Sequence, residues 1–338
     1  MPRICIVPQV SGIGGMVSFS TRFTAGLATR GIQVCTSLDD TPYDAVLVIG
    51  GTRDLLGLRK VRRRGVRIVQ RLNGMNWIHR KRTTGIKHAL RAEYGNLILN
   101  TIRTRLAHQI VYQSRFAQGW WQRVYGPTQA AWKVVYNAVD LAEYSPLGPA
   151  ELPVDRQRLL LVEGSLGGGY EGGLETAIQM AEILRIDYGM ALELVVVGKV
   201  SSQLQVAAQA RIKSPLIFKG KVPGEQIPQL DRSAHLLFAA DINAACPNST
   251  IEALACGLPV VAFDTGALPE LVTEEAGRVV PYGGDPWNLD PPDVPSLAQS
   301  AAEVLTNQAQ FRAGARQRAE EAFGLDSMVE EYLSCLLP

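Results

Sequence analysis

The residues best placed for chemistry lie in Cys246–Phe263, CPNSTIEALACGLPVVAF. Pro247-Asn248-Ser249 precede Thr250-Ile251-Glu252-Ala253-Leu254-Ala255, so Asn248 or Ser249 is expected to cap a helix whose first free N–H groups, through Thr250, can hold an anion. Glu252 then falls in the first turn, where the helix dipole favours its charge and where it can accept two hydrogen bonds from a vicinal diol. A plainer role, a solvated carboxylate at a helix start, is open to the same residue. Two glycine-rich turns suit the same kind of ligand, because glycine lets the backbone approach a phosphate. One is Ser11-Gly12-Ile13-Gly14-Gly15, followed by Met16, Phe19, Phe23 and Leu27 at helical spacing; the other is Gly164–Gly173, GSLGGGYEGG. Neither reads G-x-G-x-x-G, and no acidic residue closes the second strand where an adenosine ribose would sit, which argues against a nicotinamide dinucleotide.

A third group is Arg71-Leu72-Asn73-Gly74-Met75-Asn76-Trp77-Ile78-His79-Arg80. Trp77 could stack on a sugar ring, and Arg71, Asn73 and His79 could bind hydroxyls or a phosphate. Packing of Trp77 and an exposed, unengaged His79 are the competing readings. The five cysteines, Cys5, Cys35, Cys246, Cys256 and Cys335, form no C-x-x-C pair and are expected as buried thiols in a reducing compartment. No His, Cys and carboxylate cluster has metal-ligand spacing, so no metal is expected.

These groups need a scaffold. A chain of 338 residues, 46% hydrophobic and 20% charged, is too apolar for disorder and long enough for two domains. No run is long and apolar enough to span a membrane, and the start, MPRICIVPQVSG, reads as a strand, not an export signal. Strands are expected at Arg3–Pro8, Ile32–Thr36, Ala45–Ile49, Val66–Leu72, Gln109–Tyr112 and Val134–Tyr136. A second six follows at Leu159–Val162, Leu192–Val197, Leu216–Phe218, Leu236–Ala239, Val260–Ala262 and Val279–Val280. Helical or turn-rich segments separate them. The expected fold class is α/β, two doubly wound, Rossmann-like parallel-sheet domains facing a central cleft, with ligand at the carboxyl ends of the strands. The Pro/Gly-rich SPLGPAELP places the linker near residue 149, giving domains at 1–149 and 150–315 and a terminal helix over 316–338 that crosses between them.

The charge is divided along the chain. Residues 1–149 carry 21 Lys/Arg against 7 Asp/Glu, a balance of +14, and the remainder 13 against 25, a balance of −12. From Arg53 to Arg105 there are 15 basic residues and only Asp54 and Glu93 opposing them. Leu55, Leu56, Leu58 and Val61 alternate there with Arg59, Lys60, Arg62, Arg63 and Arg64, an amphipathic basic segment suited to anionic lipid headgroups. A solvated basic face attracting the acidic half is the alternative. Nucleic acid is not expected, since no helix-turn-helix, RNA-binding or zinc signature accompanies the charge.

The central stretch resembles that of retaining nucleotide-sugar glycosyltransferases of the GT-B fold, family 4 in particular. The resemblance extends in order through Gly12–Gly15, Tyr112-Gln113-Ser114-Arg115-Phe116, Tyr136-Asn137-Ala138-Val139-Asp140, Val195-Val196-Val197-Gly198, Phe218-Lys219-Gly220-Lys221-Val222 and Gly266-Ala267-Leu268-Pro269-Glu270-Leu271-Val272. It implies that Glu252 grips the donor ribose and that the amides of Asn248, Ser249 and Thr250 hold the phosphate or sugar. Gly14 and Gly15 would face the diphosphate across the cleft, with Ser165, Gly198 and Lys221 completing the donor site. On the acceptor side it implies Arg71, Asn73 and Trp77, with His79 beside the transferred sugar. The activity implied is transfer of a sugar from a nucleotide donor to an acceptor hydroxyl, on a glycan, polysaccharide or lipid-linked acceptor, without cofactor or metal. The free cysteines and the basic segment 53–105 give the expected location as cytoplasmic, peripheral on the inner face of the membrane. Three positions depart from the family's pattern: Ala244 stands for its first Glu, and Ser165 and Glu171 for the Arg and Lys that neutralise the leaving diphosphate. Lys199, Lys219 and Lys221 are candidate substitutes; an impaired, binding-only protein and sugar-nucleotide epimerisation are the alternatives.

Overall fold

The computed structural model describes residues 1–12, 14–82, 85–167 and 171–338, so Ile13 of the first glycine turn and Gly168, Gly169 and Tyr170 of the second lie outside the described residues. The chain divides into two units, 1–140 with 324–338, and 141–323. The first contains β1 (Arg3–Val7), α1 (Gly15–Ala28), β2 (Gln33–Cys35), β3 (Ala45–Ile49), α2 (Leu55–Arg63), β4 (Arg67–Leu72), α3 (Ile86–Thr101), β5 (Gln109–Tyr112), α4 (Arg115–Tyr125) and β6 (Ala131–Val134). All its strands pair in parallel, in the order β2-β1-β3-β4-β5-β6. Continuous apolar runs such as Ala45–Ile49, wholly buried, are what a parallel sheet covered on both faces demands.

The second unit contains β7 (Gln157–Ser165), α5 (Gly172–Asp187), β8 (Leu192–Lys199), α6 (Ser202–Gln209), β9 (Leu216–Gly220), α7 (Ile227–Arg232), β10 (Leu236–Ala239), α8 (Asn248–Ala255), β11 (Val260–Phe263), α9 (Leu268–Leu271), β12 (Gly277–Val280), α10 (Val294–Thr306) and α11 (Gln308–Ala322). Its strands are again parallel, ordered β12-β11-β10-β7-β8-β9. Leu174, Ala177, Ile178, Ala181 and Leu184 of α5, at helical spacing, join Leu159, Leu161, Leu194, Phe238 and Val261 of the sheet in one core.

Three expectations are corrected. The last strand of the first sheet is Ala131–Val134, ahead of the apolar Val134–Tyr136: it is an edge strand with Ala131 and Trp132 exposed, so burial leaves little trace in its sequence. The division between units falls at Asp140, not at residue 149. Arg316 donates to the carbonyls of Leu141 and Tyr144, and Arg232 to those of Ser145 and Pro149, which fixes the Pro/Gly-rich stretch to the second unit. The expected terminal helix is two helices, because α11 ends at Ala322 and α12 (Leu325–Leu336) begins after Phe323-Gly324. Arg316 is therefore inside α11, and only α12 returns to the first unit. There Met328, Val329, Tyr332 and Leu336 close the core, with Tyr332 5.1 Å from Phe19 and 5.3 Å from Phe23. Gly26 lets α1 and α12 approach, since a Cβ there would lie 2.6 Å from Val329 Cγ2.

Candidate functional site

In the second sheet the chain runs from β7 to β8 on one side, and β10 lies on the other, so the topological switch is between β7 and β10. Ligands of open parallel sheets bind outside the carboxyl ends of the strands at this point. The loop from β10 leads to α8, whose sequence gives the expected helix with a shifted start. The cap position is Pro247, which supplies no side-chain bond, so Asn248, Ser249 and Thr250 are the first residues within the helix. This corrects the expected capping by Asn248 or Ser249. It also moves Glu252 one or two residues further along the helix, out of the first turn. The leading amides have no partner within a helix by geometry, and Pro247 brings them no side-chain bond.

Glu252 is buried, 8% exposed, and is not the solvated carboxylate of the plainer reading. Asp231 of α7, fully enclosed, has its carboxyl raised well above the usual range, first by burial and then by the neighbouring Glu252 charge. Ala244 is itself buried, and its carbonyl accepts from Ala267 N at 2.8 Å, while Gly266 packs so tightly that a Cβ there would lie 2.5 Å from Ala244 N. Asn243 before it holds φ 58°, a left-handed conformation that asparagine tolerates better than most residues.

At the end of β7 the register shifts between Val162 and Ser165, after which Ser165 pairs with Lys199. Gly198 makes this possible: it has φ 132°, and a Cβ on it would stand 1.9 Å from the Glu163 carbonyl oxygen. Its observed role is close backbone approach. Lys199 thus lies one strand spacing, about 4.8 Å, from the position where the family pattern has an arginine. On the other side of β7, Glu163 and Asp241 form an acidic pair across the switch. Burial and Asp241 raise the Glu163 carboxyl well above its usual range, and burial brings Asp241 to about 6. No local pattern marks this pair, for Glu163 lies in β7 and Asp241 in the loop after β10, and these strands become neighbours only through the sheet order. Lys221, following β9, is exposed, and Glu171 occupies the cap position of α5.

In the first unit Gly14 caps α1 at φ 136°, with open space where a side chain would be, and Gly15 is the first helical residue. The group around Arg71 is less available than expected. Arg71 is 1% exposed: its guanidinium donates to Asn137 Oδ1 at 2.7 Å, approaches Gln113 Oε1 at 2.9 Å and lies 3.9 Å over the Phe19 ring. Trp77 is buried as well. The His79 side chain is 3% exposed and meets Glu93 Oε1 at 2.9 Å, so it is neither exposed nor unengaged. Glu93 is held at about 2, chiefly by Arg80. Arg71, Trp77 and His79 are thus all enclosed, with Arg71 Nε and His79 Nδ1 buried and without a hydrogen-bond partner among the described residues. Asn73 Oδ1 has no hydrogen-bond partner among the described residues, while its carbonyl accepts from Trp121 Nε1 at 2.6 Å. Among the described residues no group of three or more His, Cys, Asp or Glu could hold a metal ion, and no helix is long and apolar enough to cross a membrane.

Two parallel six-stranded sheets of this topology, with the terminal helix returned to the first unit, define the GT-B fold of glycosyltransferases. Residues 157–307, within the second unit, match the family model described as Glycosyl transferases group 1, and the expected likeness to GT-B nucleotide-sugar glycosyltransferases holds. The sucrose-phosphate synthase structure from Thermosynechococcus elongatus superposes with a TM-score of 0.77 at 16% identity, covering 99% of this chain and 98% of that one. HepE of Anabaena, solved with UDP and glucose, gives 0.69 at 15% identity, covering 99% of each chain. The 2-deoxystreptamine glucosyltransferase of Streptomyces kanamyceticus is 28% identical over 214 residues, 59% of this chain and 52% of that protein. The chain spans about half the length of that curated relative.

Proposed function

We propose that the chain transfers a sugar from a nucleotide-sugar donor to an acceptor hydroxyl, with retention of configuration and without a resident metal. The observation that carries this reading is the end of the second sheet: an α8 start without a side-chain cap, followed by buried Glu252, on the carboxyl side of the strands. The α8 amides receive the phosphate or the sugar and Glu252 the ribose hydroxyls. Lys199 supplies positive charge at the diphosphate, where a preorganised cation contributes several kcal/mol on the order of the loss seen when such groups are removed. The leaving phosphate oxygen takes the proton of the acceptor hydroxyl, so no separate base is required. HepE, solved with UDP and glucose, supports a nucleotide-sugar ligand. Lys199 beside Ser165 weighs against the impaired, binding-only reading.

The basic first unit receives the acceptor, a carbohydrate or lipid-linked molecule, at an anionic membrane surface on the cytoplasmic side. Each cation near such a surface contributes about 1 kcal/mol of attraction. The test is a panel of UDP-, GDP- and ADP-sugars followed by proton NMR for nucleoside diphosphate release and the anomeric form of the product, with Glu252→Gln in parallel. Turnover of one donor class, reduced ~100-fold or more in the variant, is expected for an interaction to a charged group of about 3 kcal/mol. Donor binding without turnover in the native protein would overturn the enzymatic reading.

A further inference from the structure

The first unit carries a cavity of about 620 Å³ between α2 and the turn that continues α3, a single π-helical turn over Ile102–Leu106. Leu55, Leu56 and Leu106 line it together with Arg59, Arg63 and Arg105. Arg62 forms part of the same wall but is spent on structure, donating to Leu106 O at 2.7 Å and so tying the turn to α2. Arg59, Arg63 and Arg105 are exposed and have no hydrogen-bond or ion-pair partner among the described residues. The nearest acidic residue in sequence, Asp54, is occupied as the cap of α2, accepting from Gly57 N at 2.7 Å.

A second feature leads to this cavity. On α3 the exposed large apolar residues are Ile86, Leu90, Tyr94 and Leu97, with Leu90 67% and Leu97 56% exposed. Their spacing of 4, 4 and 3 places them on one side of the helix, and the next step of four is Thr101, which lines the cavity. The stripe is about 16 Å long at the helical rise. Lys87 and Arg91 flank it, and Leu56, 74% exposed, stands at its far end among the arginines. A soluble polyanion has no use for such a row of exposed apolar side chains, whereas the interface of an anionic bilayer offers both halves of the complement.

We infer that the α3 stripe enters the headgroup region of an anionic membrane and that the adjoining cavity receives the phosphate and first methylenes of a phospholipid, contacted by Arg59, Arg63 and Arg105. The inference rests on the membrane reading above and adds its site. The test is co-sedimentation of the full chain with phosphatidylglycerol/phosphatidylcholine vesicles and with phosphatidylcholine alone, for four proteins of matched thermal melting. They are the native chain, the cavity triple Arg59→Gln/Arg63→Gln/Arg105→Gln, the stripe double Leu90→Ser/Leu97→Ser, and a control triple Arg53→Gln/Arg64→Gln/Arg123→Gln that removes equal charge from residues outside the cavity lining.

The native chain should partition onto the anionic vesicles only. The cavity triple and the stripe double should each weaken this tenfold or more, and the control by threefold or less. Equal losses in the two triples would overturn the cavity while leaving general membrane attraction intact. A native chain that stays in the supernatant would end the membrane reading itself. Saturable binding of glycerol 3-phosphate with no vesicle binding would reassign the cavity to a soluble phosphate. A stripe variant that abolishes self-association while leaving vesicle binding unchanged would give that face to a second copy of the chain.

Discussion

Ser165 and Lys199 are ladder partners at the carboxyl ends of β7 and β8, immediately beyond the break in register that follows Val162. A serine where the family pattern has an arginine is thereby set beside a lysine from the next strand. The proposed reaction needs a cation at the diphosphate, and the fold brings this one to the replaced position.

Lys199→Gln should therefore lower kcat/KM for the donor ~10–100-fold, the range for one charge-assisted hydrogen bond of about 1.5–3 kcal/mol. Lys199→Arg should retain most activity, and Ser165→Arg should restore part of it in the Lys199→Gln background. Steady-state kinetics with the donor identified in the panel read all three. Full activity in Lys199→Gln would show that the neutralising charge comes from elsewhere.

Gly198 permits that pairing at a cost its replacement would reveal. A Cβ there meets the Glu163 carbonyl oxygen at 1.9 Å, and φ 132° is unfavourable to any other residue. Gly198→Ala is expected to destabilise the second unit by at least about 2 kcal/mol, read as a fall in Tm of roughly 4 °C or more. Gly164→Ala is the control, since nothing lies within 4 Å of a Cβ at that position. Equal melting of the two variants would refute the steric account.

Asp241 provides a test in pH. Burial raises its carboxyl to about 6, above its value in an unfolded chain, so the native state holds the extra proton between those values. The contribution to stability is neutral below the unfolded pKa, near 3.9, grows unfavourable as pH rises from there to about 6, and is constant above it. Asp241→Asn should accordingly raise Tm at pH 7.5, by the equivalent of about 1–3 kcal/mol, and leave it unchanged at pH 4. Thermal melts across pH 4–8 check the sign. An equal shift at both ends would mean that packing, not ionisation, governs the change.

How far the sequence carries the reading can be judged from such residues. Ala45–Ile49, Gln109–Tyr112 and Leu236–Ala239 are strands with the expected bounds, because buried parallel strands are uninterrupted apolar runs. Edge strand β6 lacks that mark and was displaced. Arg71 read as a ligand-binding residue because its type suits an anion, yet its burial against Phe19, Asn137 and Gln113 depends on elements far apart in the chain. Glu163 and Asp241 illustrate the converse: their meeting follows from the strand order β10-β7, which no local pattern encodes. Glu252 was recognisable from its surroundings, though its depth in α8 was not.

The pair His79–Glu93 separates positioning from contact with ligand. His79 Nε2 is 2.9 Å from Glu93 Oε1, while Arg80 binds both oxygens of the same carboxylate at 2.6 and 2.9 Å. Arg80 first, and His79 after it, hold Glu93 at about 2, below its unfolded value, so the stabilisation is present above roughly pH 4.3 and is lost as pH falls toward 2. The carboxylate is 44% exposed, and solvent screening limits the gain to about 1 kcal/mol. Glu93→Gln should lower stability by about that amount at pH 7 and by nothing near pH 2. His79→Gln should likewise lower Tm while changing donor turnover less than roughly threefold, about 0.6 kcal/mol, because the ring is enclosed and already paired. Urea melts at both pH values, with turnover at pH 7, decide the matter: a large loss of kcat in His79→Gln with stability intact would return the imidazole to the reacting sugar.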